Sequence, residues 1–546
     1  MSGYQPPHFS APIDLDLSRN EGRPTLRGID LDAVTVARLT SRYPDTTRLT
    51  GLVAERHDVD PRRVLVTAGG DDALFRCFLR AEGTVAATTP TFEMIARYAE
   101  QAGLNLIEVP WWDGDFPIAD FLDVDAGMAV IVSPNNPTGS VISAADLRKV
   151  AADTDLVVLD AAYSDFAAED LTPVALELDN VVVVRTLSKA YGLAGLRVGY
   201  LLGPEGVVDE LRGFGSPYSL SALSASLAAD VLETQAGWAG EFARRIEEER
   251  GELTSVLSDL GISYLPSQAN FVLLTNVDPM WLVPAAASLG IALRWFPDRP
   301  ELARCVRVTL PGDPDDFSRL IQTLRAVLAP EALIFDMDGV LAEVRGSFRA
   351  AIIATAAGYD VDVTPAQIAA AKAAGNASDD WELTRRLLAA AGVDVSLDDV
   401  RDRFETLYQG EGSTPGLKAK ESLIPGRSLL EAWATRMSLG IVTARPRKDA
   451  EEFLRRFDLT GLFAAVVTRE DAPSKPDPAP VRLALQRLGV RHAWMAGDTR
   501  DDIEAARGAG VVPIGVSVSG DEPLTGAALV VSRVEEIQEV LDVTKG

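Results

Sequence analysis

Two short segments, far apart in the chain, hold residues able to do covalent chemistry. Lys189 stands in Thr186-Leu187-Ser188-Lys189-Ala190-Tyr191-Gly192, shortly before Gly195-Leu196-Arg197. A lysine amine can condense with a carbonyl, and a neighbouring arginine suits an anion. Lys189 is one of only two lysines before residue 330, the other being Lys149. That scarcity sets it apart from ordinary surface lysines. Asp336 and Asp338 stand in Leu333-Ile334-Phe335-Asp336-Met337-Asp338-Gly339-Val340. Paired carboxylates after an apolar run are the residue types of nucleophilic and acid–base catalysis.

Positioning such groups calls for rigid strands and helices. Short apolar runs alternate with helical patterns almost throughout. Ala129 to Ser133, Leu156 to Asp160 and Val181 to Arg185 are expected as buried strands of a mainly parallel sheet. Gln235 to Leu260 carries Glu and Arg at helical spacing and predicts a long surface helix. A proline breaks the pattern at Leu328-Ala329-Pro330, and a new strand starts at Leu333. The connection is therefore short, and contact between the two halves is expected. The second half predicts strands at Leu333 to Asp336, Gly440 to Thr443, Ala464 to Thr468, Ala493 to Asp498 and Val511 to Val516. Residues 346 to 424, Ala-rich, are expected to be entirely helical. Thr364-Pro365 supplies an N-cap and a first-turn proline, and Ser396-Leu397-Asp398-Asp399 resembles a capping box.

At 546 residues the chain is too long for one core, so several domains are expected. A formal charge of −28, dispersed along the chain, argues against nucleic-acid binding. No apolar run reaches membrane-spanning length. The Met1–His8 segment lacks the basic and apolar stretches of a secretory leader. Cys77 and Cys305 are the only cysteines and are expected as buried thiols, so a cytoplasmic location is expected. His8, His57 and His492 share no ligand spacing, and no zinc site is expected. Trp111 and Trp112, like the other tryptophans, are expected in cores or interfaces.

Around Lys189, residues 15 to 328 resemble the fold-type I aminotransferases, most closely the histidinol-phosphate aminotransferase family. The resemblance implies pyridoxal 5′-phosphate, with Lys189 condensing with its aldehyde and then moving the substrate proton. It places Asp160 on the pyridine nitrogen, and Asn136 (in Ser133-Pro134-Asn135-Asn136-Pro137-Thr138-Gly139) and Tyr163 on the phenolic oxygen. The phosphate would rest on Thr186, Ser188, Arg197 and the backbone of Gly70-Asp71, with Phe92 stacked on the ring. Tyr43, in Arg42-Tyr43-Pro44-Asp45, matches a tyrosine that reaches the neighbouring subunit's cofactor, which implies a homodimer. Arg307, Arg294 and Asn20 are the matching substrate-binding positions. Two positions depart from the family: Ala161 replaces a usual glutamate and Phe92 a commoner tyrosine. Both leave room for an altered substrate.

Residues 332 to about 540 resemble the haloacid dehalogenase superfamily, in its small-cap phosphatase branch. The resemblance makes Asp336 the nucleophile and Asp338 the acid and base. Thr443 would bond the phosphoryl group, and Lys475, in Ser474-Lys475-Pro476-Asp477-Pro478, would neutralise charge. Asp498 and Asp502, with Asp336 and Asp338, would hold Mg²⁺.

The expected architecture is α/β throughout. An aminotransferase domain spans residues 1–329, with a large mixed sheet and a small domain from about 1–45 and 245–329. A Rossmann-like phosphatase domain follows at 330–546, with a helical cap at about 346–424. The pairing implies an amine installed from a donor such as glutamate on a phosphorylated ketone, best read as imidazole-acetol phosphate, and a phosphate removed to give histidinol. Another amino-alcohol or amino-acid phosphate, a phosphate-ester decarboxylase, or a phosphomutase would use most of the same residues.

Overall fold

A computed structural model describes residues 11–23, 29, 31–373, 379–517 and 524–543. Met1–His8 lies outside the described residues. Two compact units emerge, one of Leu17–Val277 with Leu293–Ser318, the other of Asp278–Ala292 and Arg319 onward with strand Leu15–Asp16.

The first unit is built on a seven-stranded sheet. Its spatial order is Val64–Thr67, Gly199–Leu202, Val181–Thr186, Leu156–Asp160, Met128–Val132, Thr84–Thr89 and Asn105–Pro110. Gly199–Leu202 runs antiparallel to both neighbours, and the other pairings are parallel. The central strands are buried at every position because helices cover both faces, which is why they read as unbroken apolar runs. Four consecutive valines in Val181–Thr186 suit this role, since β-branched side chains are stiff and pack well on a pleated surface. The expected strands are present within a residue at each end, and the long helix spans Trp238–Asp259. A separate three-stranded antiparallel sheet, Arg294–Trp295, Val306–Thr309 and Phe271–Leu274, carries the two candidate substrate arginines on paired residues, Arg294 opposite Arg307.

The second unit holds a six-stranded parallel sheet in the order Ala465–Val467, Ser438–Val442, Ala332–Phe335, Ala493–Gly497, Val512–Val516 and Leu529–Val531. Segments preceding Pro330 belong to its core. The rings of Trp281 and Trp494 lie 4.5 Å apart, and Trp494 Nε1 donates to the Ala326 carbonyl at 2.8 Å. Ala329, Pro330 and Glu331 alone separate helix Pro314–Leu328 from strand Ala332–Phe335.

The insertion departs from the sequence expectation in holding short strands as well as helices. Helices Phe348–Ala357, Pro365–Ala373, Asp380–Ala390 and Leu397–Gln409 are present, with Ser396 capping the last. They are followed by a small hairpin, Gly410–Glu411 against Thr414–Pro415, so the insertion is not entirely helical. Gly410 and Gly412, at φ of +87° and +60°, permit that turn, and apolar periodicity gives no sign of it. The chain enters and leaves the insertion through paired strands Ala342–Glu343 and Ser422–Leu423.

Candidate active sites

In the first unit, strand Leu156–Asp160 ends on Asp160, whose carboxylate is 5% exposed and accepts the Ala162 N–H at 3.1 Å. Burial pushes its pKa up to about 7, against the pull of that N–H and of the Lys189 charge. A carboxylate so poised is matched to a cation arriving with a ligand. The next strand, Val181–Thr186, leads into Lys189, whose Nζ donates to the Arg19 carbonyl at 3.2 Å and lies 5.7 Å from the Tyr163 ring centre. Gly22 presses on this turn: a β-carbon there would meet the Lys189 carbonyl oxygen at 1.7 Å.

An anion cradle forms alongside. Thr186 Oγ1 donates to Ser188 Oγ at 2.9 Å and accepts the Ser188 N–H at 3.2 Å. Arg197, in the left-handed region at φ +53°, pairs with Asp71 at 2.9 Å. Its guanidinium passes over Gly69, where a β-carbon would lie 2.8 Å from Nη2. Gly69 and Gly70 open helix Gly69–Arg80, whose first N–H groups are available to an anion. Tyr98 donates to Asp71 at 3.2 Å, closing this side.

The substrate side is a chain of buried hydrogen bonds. Arg307, 5% exposed, donates Nη1 to Asn136 Oδ1 at 2.6 Å and Nη2 to the Ser18 carbonyl at 2.8 Å. A guanidinium only donates, so Asn136 must turn its oxygen to Arg307 and is left with its NH₂ as a donor elsewhere. Asn20 donates to Tyr163 Oη at 3.0 Å and accepts from Thr309 at 2.7 Å. Asn20 thus serves as a link between strand Val306–Thr309 and Tyr163. Arg294 instead reaches Glu93 at 3.5 Å. Phe92 is partly buried against the sheet's core. Tyr43 is not drawn into this network: it is 78% exposed and stacks on Tyr218 with ring centres 4.4 Å apart.

In the second unit, Asp336, Thr443 and Asp498 each follow directly on the last residue of a parallel strand, Phe335, Val442 and Gly497. That places all three at the carboxyl edge of the sheet, where such folds bind ligands. Lys475 bridges Asp336 and Asp502 at 2.5 Å each. Burial and the surrounding carboxylates raise the pKa of Asp336 while Lys475 opposes them. For Lys475, burial alone would favour the neutral amine, but Asp336 and Asp502 outweigh it and hold the ammonium charged. One oxygen from each of Asp336, Asp498 and Asp502 lies within 4.8 Å of the others, a carboxylate set that suits a hard divalent cation. Asp502 is oriented by Thr499, whose N–H and hydroxyl both reach its Oδ2. Gly339, at φ +83°, leaves the room Asp498 needs, since a β-carbon there would lie 2.2 Å from Oδ2.

The side chain of Asp338 is turned to Arg445, which donates to its Oδ1 at 2.8 Å through Nε and 2.5 Å through Nη2. Arg445 went unnoticed in the sequence, as did its second partner Glu421. The available signal was its place two residues after Thr443, in Thr443-Ala444-Arg445-Pro446.

The model of aminotransferase class I and II matches residues 36–324, over half of the chain. The chain belongs to the aminotransferase class I and II family. Residues 333–516 match the haloacid dehalogenase-like hydrolase model, so the enzyme carries a transferase and a hydrolase fold in one polypeptide. The histidinol-phosphate aminotransferase of Thermoanaerobacter pseudethanolicus is 33% identical over 301 residues, 52% of this chain and 84% of that protein. An imidazoleglycerol-phosphate dehydratase from Phytophthora nicotianae is 47% identical over 194 residues, 34% of this chain. The chain spans only 43% of that dehydratase's length. A crystal structure of the histidinol-phosphate aminotransferase from Clostridium acetobutylicum shares the fold, with TM-score 0.52 at 18% identity over 57% of this chain and 98% of that one. The cofactors that go with the two families, pyridoxal 5′-phosphate and Mg²⁺, fit the residues present: a buried carboxylate poised for a cation near Lys189, and the carboxylate triad of Asp336, Asp498 and Asp502.

Proposed function

We propose that the chain is a bifunctional enzyme that moves an amino group from glutamate to a phosphorylated ketone and then hydrolyses the phosphate ester of the resulting amine. The observation that carries this reading is the coexistence of two nearly complete catalytic sets, headed by Lys189 and Asp336, in one chain. The best-supported ketone is imidazole-acetol phosphate, giving histidinol phosphate and then histidinol. Relatives named for histidinol phosphate and imidazoleglycerol phosphate support it. Loss of water from a glycerol diol yields such a ketone, so the two names describe neighbouring chemistry. Residues 1–329 are assigned to transamination and 330–546 to hydrolysis.

When bound, pyridoxal phosphate supplies an electron-withdrawing ring that stabilises negative charge at the substrate carbon. Asp160 keeps the ring nitrogen protonated, Thr186, Ser188 and Arg197 hold the phosphate, and the Lys189 amine carries the proton between atoms. Arg307 grips the anionic end of either substrate, since its fork suits carboxylate and phosphate alike. In the second site, Asp336 attacks phosphorus and becomes a phosphoaspartate. Asp338 gives a proton to the departing alkoxide, then takes one from the water that releases phosphate. Thr443 Oγ1 accepts the Arg445 N–H at 3.1 Å, which leaves its hydroxyl hydrogen for a phosphoryl oxygen. Asp336, Asp498 and Asp502 would hold Mg²⁺, which offsets charge on the phosphoryl oxygens. A homodimer in the cytoplasm, with small molecules and not nucleic acid as partners, completes the reading.

The test supplies histidinol phosphate with 2-oxoglutarate and, separately, with Mg²⁺ alone. Glutamate formation in the first and phosphate release in the second are expected. Release of carbon dioxide without an amino acceptor, or an isomerised ester in place of free phosphate, overturns the corresponding half.

A further inference from the structure

We propose that Arg445 is a positioning residue of the phosphatase site, which selects the working oxygen of Asp338 and ties its direction to the helical cap. The inference rests on the reading of Asp338 as the acid and base. Arg445 is buried, with its side chain 1% exposed, and spends two N–H donors on the same Asp338 oxygen, Oδ1. Those donors cannot accept, so Oδ1 is closed to a transferable proton and Oδ2 is left to give and take it. The other edge of the guanidinium meets Glu421, at 3.1 Å to Oε2 and 3.2 Å to Oε1. Glu421 directly precedes Ser422–Leu423, the strand by which the chain returns from the cap. It also accepts the Tyr408 hydroxyl at 3.0 Å, and Tyr408 lies on cap helix Leu397–Gln409. The guanidinium carbon lies 4.7 Å from the centre of the Phe348 ring, on the first cap helix, and 5.3 Å from that of Phe453. One planar fork therefore joins the acid–base carboxylate, the cap's return strand and two cap helices. A lysine could supply the charge but neither the fork nor the stacking.

Phosphorylation of Asp336 by 4-nitrophenyl phosphate, whose leaving group needs little help from an acid, should outlast loss of Asp338's alignment. Hydrolysis of the phosphoaspartate, which needs the base, should not. We expect Arg445→Met and Arg445→Lys, assayed in the full chain with Mg²⁺, to lower kcat about 100-fold and KM with it, leaving kcat/KM, which reports phosphorylation, within about threefold. Acid-quenched phosphoenzyme should accumulate. Added guanidinium ion should partly restore the Arg445→Met rate. Tyr408→Phe, which leaves Arg445 and Asp338 intact, should accumulate phosphoenzyme in the same sense with a loss of about threefold to tenfold. The inference is overturned if the variants lose rate only in proportion to folded protein measured by circular dichroism, with no accumulation and no rescue. If the wild type forms no phosphoenzyme, or Asp336→Asn retains phosphatase activity, the underlying reading fails as well.

Discussion

Asp160 and Asp336 occupy matching places in two sheets, each at the carboxyl edge of a central parallel strand and each buried. Their surroundings differ. Asp336 has Lys475 ion-paired to it at 2.5 Å, whereas Asp160 feels Lys189 only through space, and burial raises the pKa of both carboxyls. At Asp336 the chain itself supplies a countercharge, and Lys475 offsets part of the rise that burial and the neighbouring carboxylates cause. In the proposed reading Asp160 would meet a protonated ring, so its countercharge would come with the cofactor. Identical side chains at equivalent fold positions thus differ in whether the chain itself brings a lysine into contact.

The widest break of this comparison removes one chemistry at a time. Lys189→Ala should lower transamination at least about 1,000-fold and leave phosphate release within about twofold. Asp336→Asn and chelation of Mg²⁺ should do the reverse, with glutamate formation and phosphate release followed on the same preparation. Loss of both activities in either variant would show that the halves are coupled.

Removing the resident countercharge is the next largest step. Lys475→Met strands Asp336 and Asp502 together in a buried site, which should cost about 3–5 kcal/mol of stability. Urea unfolding of the second unit measures it. Adding Asp502→Asn in the same chain should recover part of that loss, since it removes one of the two stranded charges.

Much of this contrast was legible in the sequence, because strands buried on both faces write themselves as apolar runs, and functional groups follow their ends. Leu156 to Asp160 and the strands leading to Asp336, Thr443 and Asp498 were located to within a residue or two for that reason. What escaped notice depends on side chains meeting across the fold. Arg445 and Glu421 lie 24 positions apart, and nothing periodic links either to Asp338. The exposed stack of Tyr43 on Tyr218 is equally silent in one dimension. The hairpin at 410–415 was hidden because its paired strands are only two residues long, too short for an alternating pattern to show.

Asp160 offers a pH test. Its pKa in the folded protein, about 7, exceeds the ordinary value of 3.8, so the cofactor-free fold binds a proton that the unfolded chain has already released. Its contribution is fully present below about pH 4 and is lost as pH rises through 7. At about 1.4 kcal/mol per pH unit, the decline amounts to at most about 4 kcal/mol. Cofactor-free Asp160→Asn should therefore gain on the wild type in thermal unfolding between pH 4 and 8, while retaining pyridoxal phosphate less tightly. A flat difference across that range would mean that Asp160 already has its cation.

The smallest test compares two helix caps. Ser143 accepts the Asp146 N–H at 3.1 Å to start helix Ala144–Asp153, and Thr499 accepts the Asp502 N–H at 3.3 Å to start helix Arg500–Gly508. Replacing either by alanine removes one N-cap and should cost about 1 kcal/mol. The two differ in what the cap partner does. Asp146 sits on the surface beside Lys149, far from any reacting atom in sequence and in bonding. Asp502 is 2% exposed, pairs with Lys475, and holds its Oδ2 against the Thr499 hydroxyl at 2.6 Å. Thr499→Ala therefore removes the shorter of the two hydrogen bonds that orient Oδ2 and keeps the backbone N–H, and loss of an orienting partner weakens metal binding by about tenfold. We expect Ser143→Ala to lower stability and leave both activities unchanged. Thr499→Ala should lower stability by a similar amount and raise the Mg²⁺ concentration needed for half-maximal phosphate release about tenfold. Equal Mg²⁺ requirements in the two variants would reduce the Thr499 hydroxyl to a helix cap and leave Asp502 oriented by Lys475 and the backbone N–H of residue 499.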